Sequence, residues 1–149
     1  MAERVSLPRG FSRLAWSNLA AQSAEQIALA AAPIVAVLAL GAGAGETGLL
    51  QTAQTLPYLL LAIPAGILAD RMSRRAVMVG AEALRALSLA AVLMLVQAGL
   101  LTLPLLAVLG FLGACGTVAY SVAAPALVPS LVPPAALAVA NGRIELART

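Results

Sequence analysis

The sequence predicts an all-α fold, a polytopic membrane helix bundle. Of its 149 residues, 62% are hydrophobic and only 10% are charged, and its mean hydropathy is +0.98. A soluble domain of this size is about half apolar and a quarter charged, and its small interior would not hide this much apolar surface. The apolar residues also form long runs, and most of the nine basic residues, all of them arginine, lie outside those runs. Membrane lipid is therefore the expected partner of most of the chain's surface.

Four membrane-spanning helices are predicted, each with the roughly 20 apolar residues that cross a bilayer. In chain order they cover residues 14–40, 47–68, 76–97 and 102–127. The first connection, Gly41–Glu46, is predicted to be a flexible polar break, and Ala98–Leu101 is predicted to form a tight turn.

The predicted organisation has three parts. Residues 1–13 form a cytoplasmic N-terminal segment, residues 14–127 form the four-helix transmembrane region, and residues 128–149 form a cytoplasmic connection with the start of a fifth helix. The prolines of Pro129–Pro134 are predicted to break the fourth helix, because proline removes a backbone hydrogen bond. Polar residues after Ala135 favour a new helix that begins at the membrane surface.

The placement of arginine predicts the orientation of the chain. Arginines precede the first span, lie between the second and third spans, and follow the fourth: Arg4, Arg9, Arg13, Arg71, Arg74, Arg75, Arg143 and Arg148. The two other connections carry no arginine or lysine. Basic residues stay on the cytoplasmic side, so the sequence predicts a multi-pass protein of the cell (inner) membrane with a cytoplasmic N-terminus.

A cleaved secretory signal is the alternative interpretation of the first span. Ala42-Gly43-Ala44 resembles a cleavage site after an arginine-bearing start. The segment is too long for such a signal, however, and Asn18, Gln22 and Glu25 interrupt it, so we expect the first span to be retained.

The residue inventory argues against enzymatic and nucleic-acid-binding functions. Histidine is absent and Cys115 is the only cysteine, so the chain has no internal disulfide and no Cys/His metal site. A hydrolase would lack its usual general base. No basic patch is interleaved with aromatic residues, so nucleic acid is not an expected partner. We expect no metal and no cofactor.

Polar residues inside the first two spans form candidate cavity linings. In the first span Asn18, Gln22 and Glu25 share a narrow stripe, and Gln26 lies at its edge. A carboxylate that faced lipid would cost about 2.5 kcal/mol or more, so Glu25 should face the bundle interior and is a candidate proton or cation site. The alternative for the whole stripe is hydrogen bonding between helices.

The second span carries a similar polar face. Its members recur every three or four residues: Gln51, Gln54, Thr55 and Tyr58. This face either meets the first span or lines the same cavity, and hydrogen bonding between helices explains it equally well.

The third span carries a pair of charged residues, and the fourth span carries a series of glycines. Glu82 and Arg85, three residues apart in the third span, are predicted to form an intrahelical ion pair, with a cytoplasmic gate contact as the alternative. Gly110, Gly113 and Gly116 in the fourth span are predicted to let neighbouring helices approach closely.

The segment "AGILADRMSRR", residues 65–75, gathers a carboxylate and three arginines between two apolar runs. Asp70 falls at the C-terminal end of the second span, where the partial negative charge of the helix disfavours a carboxylate. Its partner should therefore lie on another element. Gly66, one turn earlier, is predicted to let a second helix approach.

Residues 66–75 resemble the loop signature of the major facilitator superfamily, G-x-L-A-D-R-x-G-R-[KR], with Ser73 in place of the second glycine. The resemblance implies a cytoplasmic loop between helices two and three. It also implies that Asp70 contacts the second six-helix half of the carrier and stabilises its outward-open state, with Arg71, Arg74 and Arg75 as charged neighbours. The alternative is a solvated loop whose arginines only set the topology.

Other segments resemble the branch of this superfamily that contains enterobactin-type and macrolide-type exporters. These segments are "AEQIALAAAPIVAVLAL", "LPYLLLAIPAGILADR", "AEALRAL" and "APALVPSLVPPAALAVAN". The resemblance covers nearly the whole chain and corresponds to the first four of twelve helices and the start of the fifth. The branch usually has Gly-Asp where this chain has Ala24-Glu25, and the arginine that many drug–proton antiporters carry in helix four is absent here.

The resemblance implies the N-terminal part of a secondary active transporter that exports small amphipathic molecules, such as drugs or siderophores, by alternating access with proton coupling. Its expected partners are the small-molecule substrate, membrane lipid and the C-terminal helices of the same carrier. Two alternatives remain open: a stand-alone four-helix membrane subunit with a structural or regulatory role, and a non-functional truncated remnant. An intramembrane enzyme is a further class, but the chain offers no nucleophile–base pair.

Overall fold

The computed structural model describes residues 9–131, with the side chains of residues 16–61, 63–67 and 71–124. This part of the chain consists of four helices: α1 (Arg9–Leu40), α2 (Ala44–Arg71), α3 (Arg74–Gln97) and α4 (Leu103–Leu131). No strand occurs within these residues, so the predicted all-α class is confirmed.

The helices have the length and apolarity of a membrane bundle. Among the described residues, three segments are long and apolar enough to cross a bilayer: Trp16–Leu40, Arg74–Gln97 and Leu103–Ala124. α2 is not one of these three, but it is 28 residues long and presents Leu59, which is 80% exposed, on its outer surface. Leu38 of α1 is 81% exposed in the same way. Apolar side chains on the outside of the bundle are what a lipid solvent requires.

The connection between α1 and α2 is shorter than the sequence predicts. α1 ends at Leu40 and α2 begins at Ala44, so the predicted break over Gly41–Glu46 is wrong in its second half. Gly41 turns the chain with a φ of 65°. The Glu46 carboxylate then accepts a hydrogen bond from the Gly43 amide at 2.9 Å, which caps the new helix. A glutamate at this position stabilises a helix start, and it extends α2 back to Ala44.

The connection between α2 and α3 consists of Met72 and Ser73 alone. Ser73 is extended, with φ −63° and ψ 125°, and its hydroxyl accepts a hydrogen bond from the Ala76 amide at 3.3 Å. Because its φ is negative, this position does not need glycine. The serine therefore serves as the N-cap of α3, and the turn stays tight.

The connection between α3 and α4 confirms the tight turn predicted at Ala98–Leu101. Gly99 adopts a φ of 66°, and its amide donates to the Val96 carbonyl at 3.1 Å. The Leu100 amide donates to the Leu95 carbonyl at 2.9 Å. This pair of bonds is a Schellman motif, in which a left-handed glycine satisfies the last carbonyls of a helix.

α4 is the central helix of the described bundle and packs most extensively against α2 and α3. Its glycines make this packing possible. A Cβ added at Gly116 would lie 2.7 Å from the backbone oxygen of Ala81 in α3, and one at Gly110 would lie 2.8 Å from Nε2 of Gln54 in α2. The contact at Gly116 is with backbone, so no side chain fits there, whereas at Gly110 the Gln54 side chain would have to move. The predicted close approach is confirmed at Gly110 and Gly116, but an added Cβ at Gly113 would come no nearer than 3.9 Å to Ser88.

The C-terminal part of α4 departs from the predicted boundaries. The described helix continues through Pro129 to Leu131, four residues past the predicted end at Leu127 and into the segment Pro129–Pro134 that was predicted to break it. A proline removes one backbone hydrogen bond, but a membrane helix tolerates that loss where its surroundings compensate. The fifth helix predicted after Ala135 lies outside the described residues.

An apolar cluster fills the end of the bundle that carries the first and third connections. Its buried members come from α1, α2, α4 and the turn before α4: Ala32, Ala36, Leu50, Leu101 and Leu106. Small alanines of α1 lie against larger leucines of the other elements, so the helices meet closely there. This cluster closes one end of the interior, and polar groups collect beyond it.

The packing at Gly116 generates a stability prediction. Gly116→Ala should lower the melting temperature of the complete protein in detergent by several degrees, because overpacking costs about 1–3 kcal/mol. Gly80→Ala on α3 is the matched control, since an added Cβ there meets nothing within 4 Å. Alanine at Gly80 should leave the protein unchanged or more stable, because alanine favours helices over glycine. Equal melting temperatures for the two variants would contradict the close α3–α4 contact.

Candidate functional site

A cavity of about 140 Å³ lies between the four helices, beyond the apolar cluster. All four helices contribute to its wall, which is mostly alanine, leucine, valine and glycine. Its polar side chains are Glu25, Gln54, Tyr58, Arg85, Ser88 and Thr117. A largely apolar pocket with a few convergent polar groups is the usual form of a small-molecule site.

Glu25 of α1 faces this cavity and is held by α2. The Tyr58 hydroxyl donates a hydrogen bond to Oε1 of Glu25 at 2.5 Å. The two residues lie 33 positions apart in the chain, so the bond directly ties α1 to α2. These helices have few other contacts within the described residues. The carboxylate thus has a neutral partner rather than a cationic one.

Among the side chains that the structure describes, Arg85 of α3 is the buried cation, with 7% of its surface exposed. Its Nη1 donates to Oε1 of Glu82 at 2.9 Å, and its Nη2 donates to the backbone carbonyl of Ala21 at 2.6 Å. The predicted Glu82–Arg85 pair is therefore present, and Arg85 also bridges to α1. The aliphatic part of Arg85 lies over Gly116, where an added Cβ would come within 2.8 Å of Cγ.

The other polar side chains of the cavity mostly use their hydrogens within their own helices. The Ser88 hydroxyl donates to the Leu84 carbonyl at 2.9 Å, and the Thr117 hydroxyl donates to the Gly113 carbonyl at 3.4 Å. Gln54 is buried at 5% exposure, and its Oε1 has no hydrogen-bond partner among the described residues. The hydroxyl oxygens of Ser88 and Thr117 therefore remain as acceptors on the cavity wall, whereas Oε1 of Gln54 is inaccessible.

The other residues predicted for the cavity lie outside its lining. Asn18 is buried but stands two helical turns before Glu25, beyond the end of the cavity. Gln22 and Gln51 are half-buried at neighbouring positions. Gln26 is exposed, because one residue along a helix rotates the side chain by about 100° from Glu25.

A smaller set of polar atoms is buried near Asn18. The Asn18 amide nitrogen and the Tyr120 hydroxyl are both buried, and neither makes a well-formed hydrogen bond with a described residue. The Ser17 side chain lies close to the Tyr120 hydroxyl, but the two groups are not aligned for a well-formed hydrogen bond. Arg85 and Glu82 are also near Tyr120, so this polar set continues the network of α3 towards that end of the bundle.

The predicted conformational-lock loop is formed by the last turn of α2 and the first turn of α3. Arg71, Arg74 and Arg75 are exposed there. Asp70 lies in the last turn of α2, as predicted, but its side chain is outside the described residues. An added Cβ at Gly66 meets nothing within 4 Å, so no described residue makes the close approach predicted for it. The role of this loop stays a prediction.

Three polar residues that line the cavity were not predicted to do so from the sequence: Arg85, Ser88 and Thr117. A signal for two of them was available. Glu82, Arg85 and Ser88 recur every three residues on one face of α3, and extending the charge pair by one turn would have pointed to Ser88. Thr117 directly follows the glycine at which α4 meets α3, so close packing would have placed it near the interior. Among the described residues, no group of His, Cys, Asp and Glu is arranged to hold a metal.

The comparisons with known proteins give one match. A family model described as transmembrane secretion effector matches residues 11–148, which include the loop motif and every polar residue of the cavity. Searches of curated proteins and of solved structures find no significant match.

The hydroxyl of Tyr58 generates a prediction. Tyr58→Phe removes a hydrogen bond to a carboxylate, worth about 1.5–3 kcal/mol, and should lower the melting temperature of the complete protein. Tyr120→Phe is the matched control, because it removes a buried hydroxyl that has no well-formed bond to a described residue. Loss of an unpaired buried hydroxyl should be neutral or stabilising. A larger loss of stability for Tyr120→Phe than for Tyr58→Phe would contradict this arrangement.

Proposed function

This chain belongs to the transmembrane secretion effector family of the major facilitator superfamily, and we propose that it forms the N-terminal part of a secondary active transporter that exports small amphipathic molecules. The family match supports a multi-pass membrane transporter rather than an enzyme. The direction of transport, the substrate class and the coupling are parts of the proposal.

The single observation that carries the proposal is the carboxylate of Glu25 on the wall of a cavity between four apolar helices. An acidic side chain inside a membrane is costly, and it is retained mainly where it serves a substrate or ion pathway. Helix packing would not require a carboxylate at this position, because a neutral amide would bond Tyr58 at lower desolvation cost. Glu25 is therefore the proposed site of proton exchange.

The composition of the wall supports an amphipathic substrate. Apolar residues from all four helices would contact its hydrocarbon part, and Gln54, Ser88 and Thr117 would orient its polar part. Drugs and siderophores both combine these properties. The cavity of the described chain is one wall of the proposed pathway, and the C-terminal helices of the carrier would supply the other.

Alternating access is the proposed mechanism. Two halves rock around a central site, and a contact made in only one state biases the equilibrium between states. The loop motif implies that Asp70 makes this contact, with Arg71, Arg74 and Arg75 as its charged neighbours. The distribution of arginine supports a cytoplasmic N-terminus and a location in the cell (inner) membrane.

The central test replaces Glu25 in the complete protein. Glu25→Gln should lower proton-driven efflux from membrane vesicles by about tenfold or more, because an amide cannot exchange a proton at neutral pH. Insertion and amount of protein should be unchanged. Glu46→Gln removes an equal charge from an exposed position and should export at the parental rate. Parental efflux by Glu25→Gln would refute the proposed role of this carboxylate.

Orientation has its own test. With Cys115 replaced by alanine, a cysteine at exposed Met72 should be shielded from an impermeant thiol reagent in intact cells, and a cysteine at exposed Gly45 should react. Permeabilised cells should label both positions. Labelling of the Met72 cysteine in intact cells would reverse the proposed topology.

A further inference from the structure

Arg85 and Glu25 line the same cavity but are not paired with each other. Among the described residues, the one ion pair that involves a cavity-lining side chain joins Arg85 to Glu82, which lies outside the lining. The second nitrogen of the guanidinium is bound to the carbonyl of Ala21. Glu25 accepts its hydrogen bond from Tyr58 instead. Opposite charges that share an apolar cavity attract strongly, so this separation needs a cause.

The cause lies in where α3 and α1 hold the guanidinium. Ala21 is one helical turn before Glu25 in α1, and residues four apart lie on the same face about 5–6 Å from each other. The guanidinium bound to the Ala21 carbonyl is therefore about one helical turn from the Glu25 carboxylate. A long arginine side chain can cover that distance by rotating about its torsion angles. Glu82 supplies the negative charge that keeps it there.

We infer that the Glu82–Arg85 pair sequesters the guanidinium and so determines the charge selectivity of the cavity. With Arg85 engaged by Glu82 and Ala21, Glu25 remains a carboxylate bound only by a neutral hydroxyl among the described residues. The cavity then favours an amphipathic cation that donates hydrogen bonds, over an amphipathic anion. This inference rests on the proposed function, because it takes the cavity to be the substrate site.

The remaining polar groups of the cavity agree with a hydrogen-bond-donating cation. The Ser88 hydroxyl donates to a backbone carbonyl of its own helix, and the Thr117 hydroxyl lies between the Gly113 carbonyl, at 3.4 Å, and the Tyr58 hydroxyl. The Tyr58 hydroxyl donates its hydrogen bond to Glu25. Gln54 is buried with Nε2 towards Gly110, and its Oε1 is an inaccessible acceptor that would need a side-chain rotation to reach a ligand. Apart from the guanidinium of Arg85, the accessible polar groups that a ligand meets are therefore chiefly acceptors, which a protonated amine satisfies and a carboxylate or catecholate does not.

The test compares two dyes with a related xanthene frame and opposite charge. Rhodamine 6G is an amphipathic cation with N–H donors, and fluorescein is an anion. Their binding to the complete protein, purified in detergent, is measured by fluorescence anisotropy. The parent should bind rhodamine 6G at least about tenfold more tightly than fluorescein, as the loss of one charge-assisted contact predicts. Failure to bind rhodamine 6G, or tighter binding of fluorescein, overturns the inference.

The decisive variant is Glu82→Gln. It removes the carboxylate that holds Arg85, so the guanidinium should turn to Glu25 and weaken rhodamine 6G binding by roughly tenfold to a hundredfold. The double variant Glu82→Gln/Arg85→Gln removes the competing cation as well and should return to within about threefold of the parent. Glu46→Gln, which removes an equal charge at an exposed position, should bind as the parent does.

Two outcomes for these variants overturn the inference. One is parental binding by Glu82→Gln, and the other is a double variant as weak as Glu82→Gln, which would assign the loss to packing. Only preparations that elute as a single symmetrical peak are compared. If Glu82→Gln does not elute in this way, Glu82→Asp is used in its place. The aspartate side chain is one methylene shorter than glutamate, so Glu82→Asp should weaken rhodamine 6G binding by at least about threefold. Parental affinity of Glu82→Asp would then overturn the inference.

The efflux assay separates this inference from the proposed function. If Glu25→Gln exports normally, the proposed function fails, and the selectivity mechanism fails with it. If Glu25→Gln abolishes export while Glu82→Gln binds rhodamine 6G like the parent, the proposed function stands and only the inference about Glu82 and Arg85 fails.

Discussion

A guanidinium buried among apolar helices must find partners inside the protein, and this requirement organises the described bundle. An unpaired charge in such surroundings would cost several kcal/mol. Arg85 meets the requirement with a carboxylate of its own helix and a backbone carbonyl of α1, at 2.9 and 2.6 Å. The second bond ties α3 to α1. The absence of a side chain at Gly116 gives the arginine its path along α4.

The consequences of this arrangement reach the cavity. Because Arg85 is satisfied by Glu82 and Ala21, Glu25 is left to a tyrosine of α2. Arg85 of α3 and Tyr58 of α2 thus each bond to α1, at residues that lie one helical turn apart. The apolar cluster closes the bundle at the opposite end, where alanines of α1 meet leucines. The cavity lies between a sealed apolar end and a polar end, which is a suitable form for one wall of a transport pathway.

Sequence patterns predicted the parts of the fold that depend on local physics. Apolar runs gave the helices, and the glycines of α4 predicted its close packing, because both signals reside in short stretches of chain. The end of the first connection was missed because a side-chain cap, Glu46 on the Gly43 amide, extended α2. The passage of α4 through Pro129 was missed because a proline weakens a helix without always ending it.

The site was less predictable because its contacts join distant parts of the chain. Glu25 and Tyr58 were each singled out by their place in an apolar span, but their hydrogen bond spans 33 residues and depends on how α1 rotates against α2. The same rotation leaves Gln26 exposed and Asn18 beyond the cavity. The bond from Arg85 to Ala21 involves a backbone carbonyl, and no sequence pattern marks which carbonyl a side chain will reach.

The central claim is that the four helices enclose a water-accessible cavity with Glu25 on its wall, and paired cysteines test it most directly. Cys115 is first replaced by alanine in the complete protein. Cysteines at Ala28 and Ser88 would then line the cavity. Cysteines at the neighbouring positions Ile27 and Leu87, each 69% exposed, would face lipid. A small charged thiol reagent reacts only with thiolates that contact water. The account predicts that the Ala28 and Ser88 cysteines react and that bound rhodamine 6G slows them, while the Ile27 and Leu87 cysteines stay unmodified. Equal reactivity within both neighbouring pairs would contradict it.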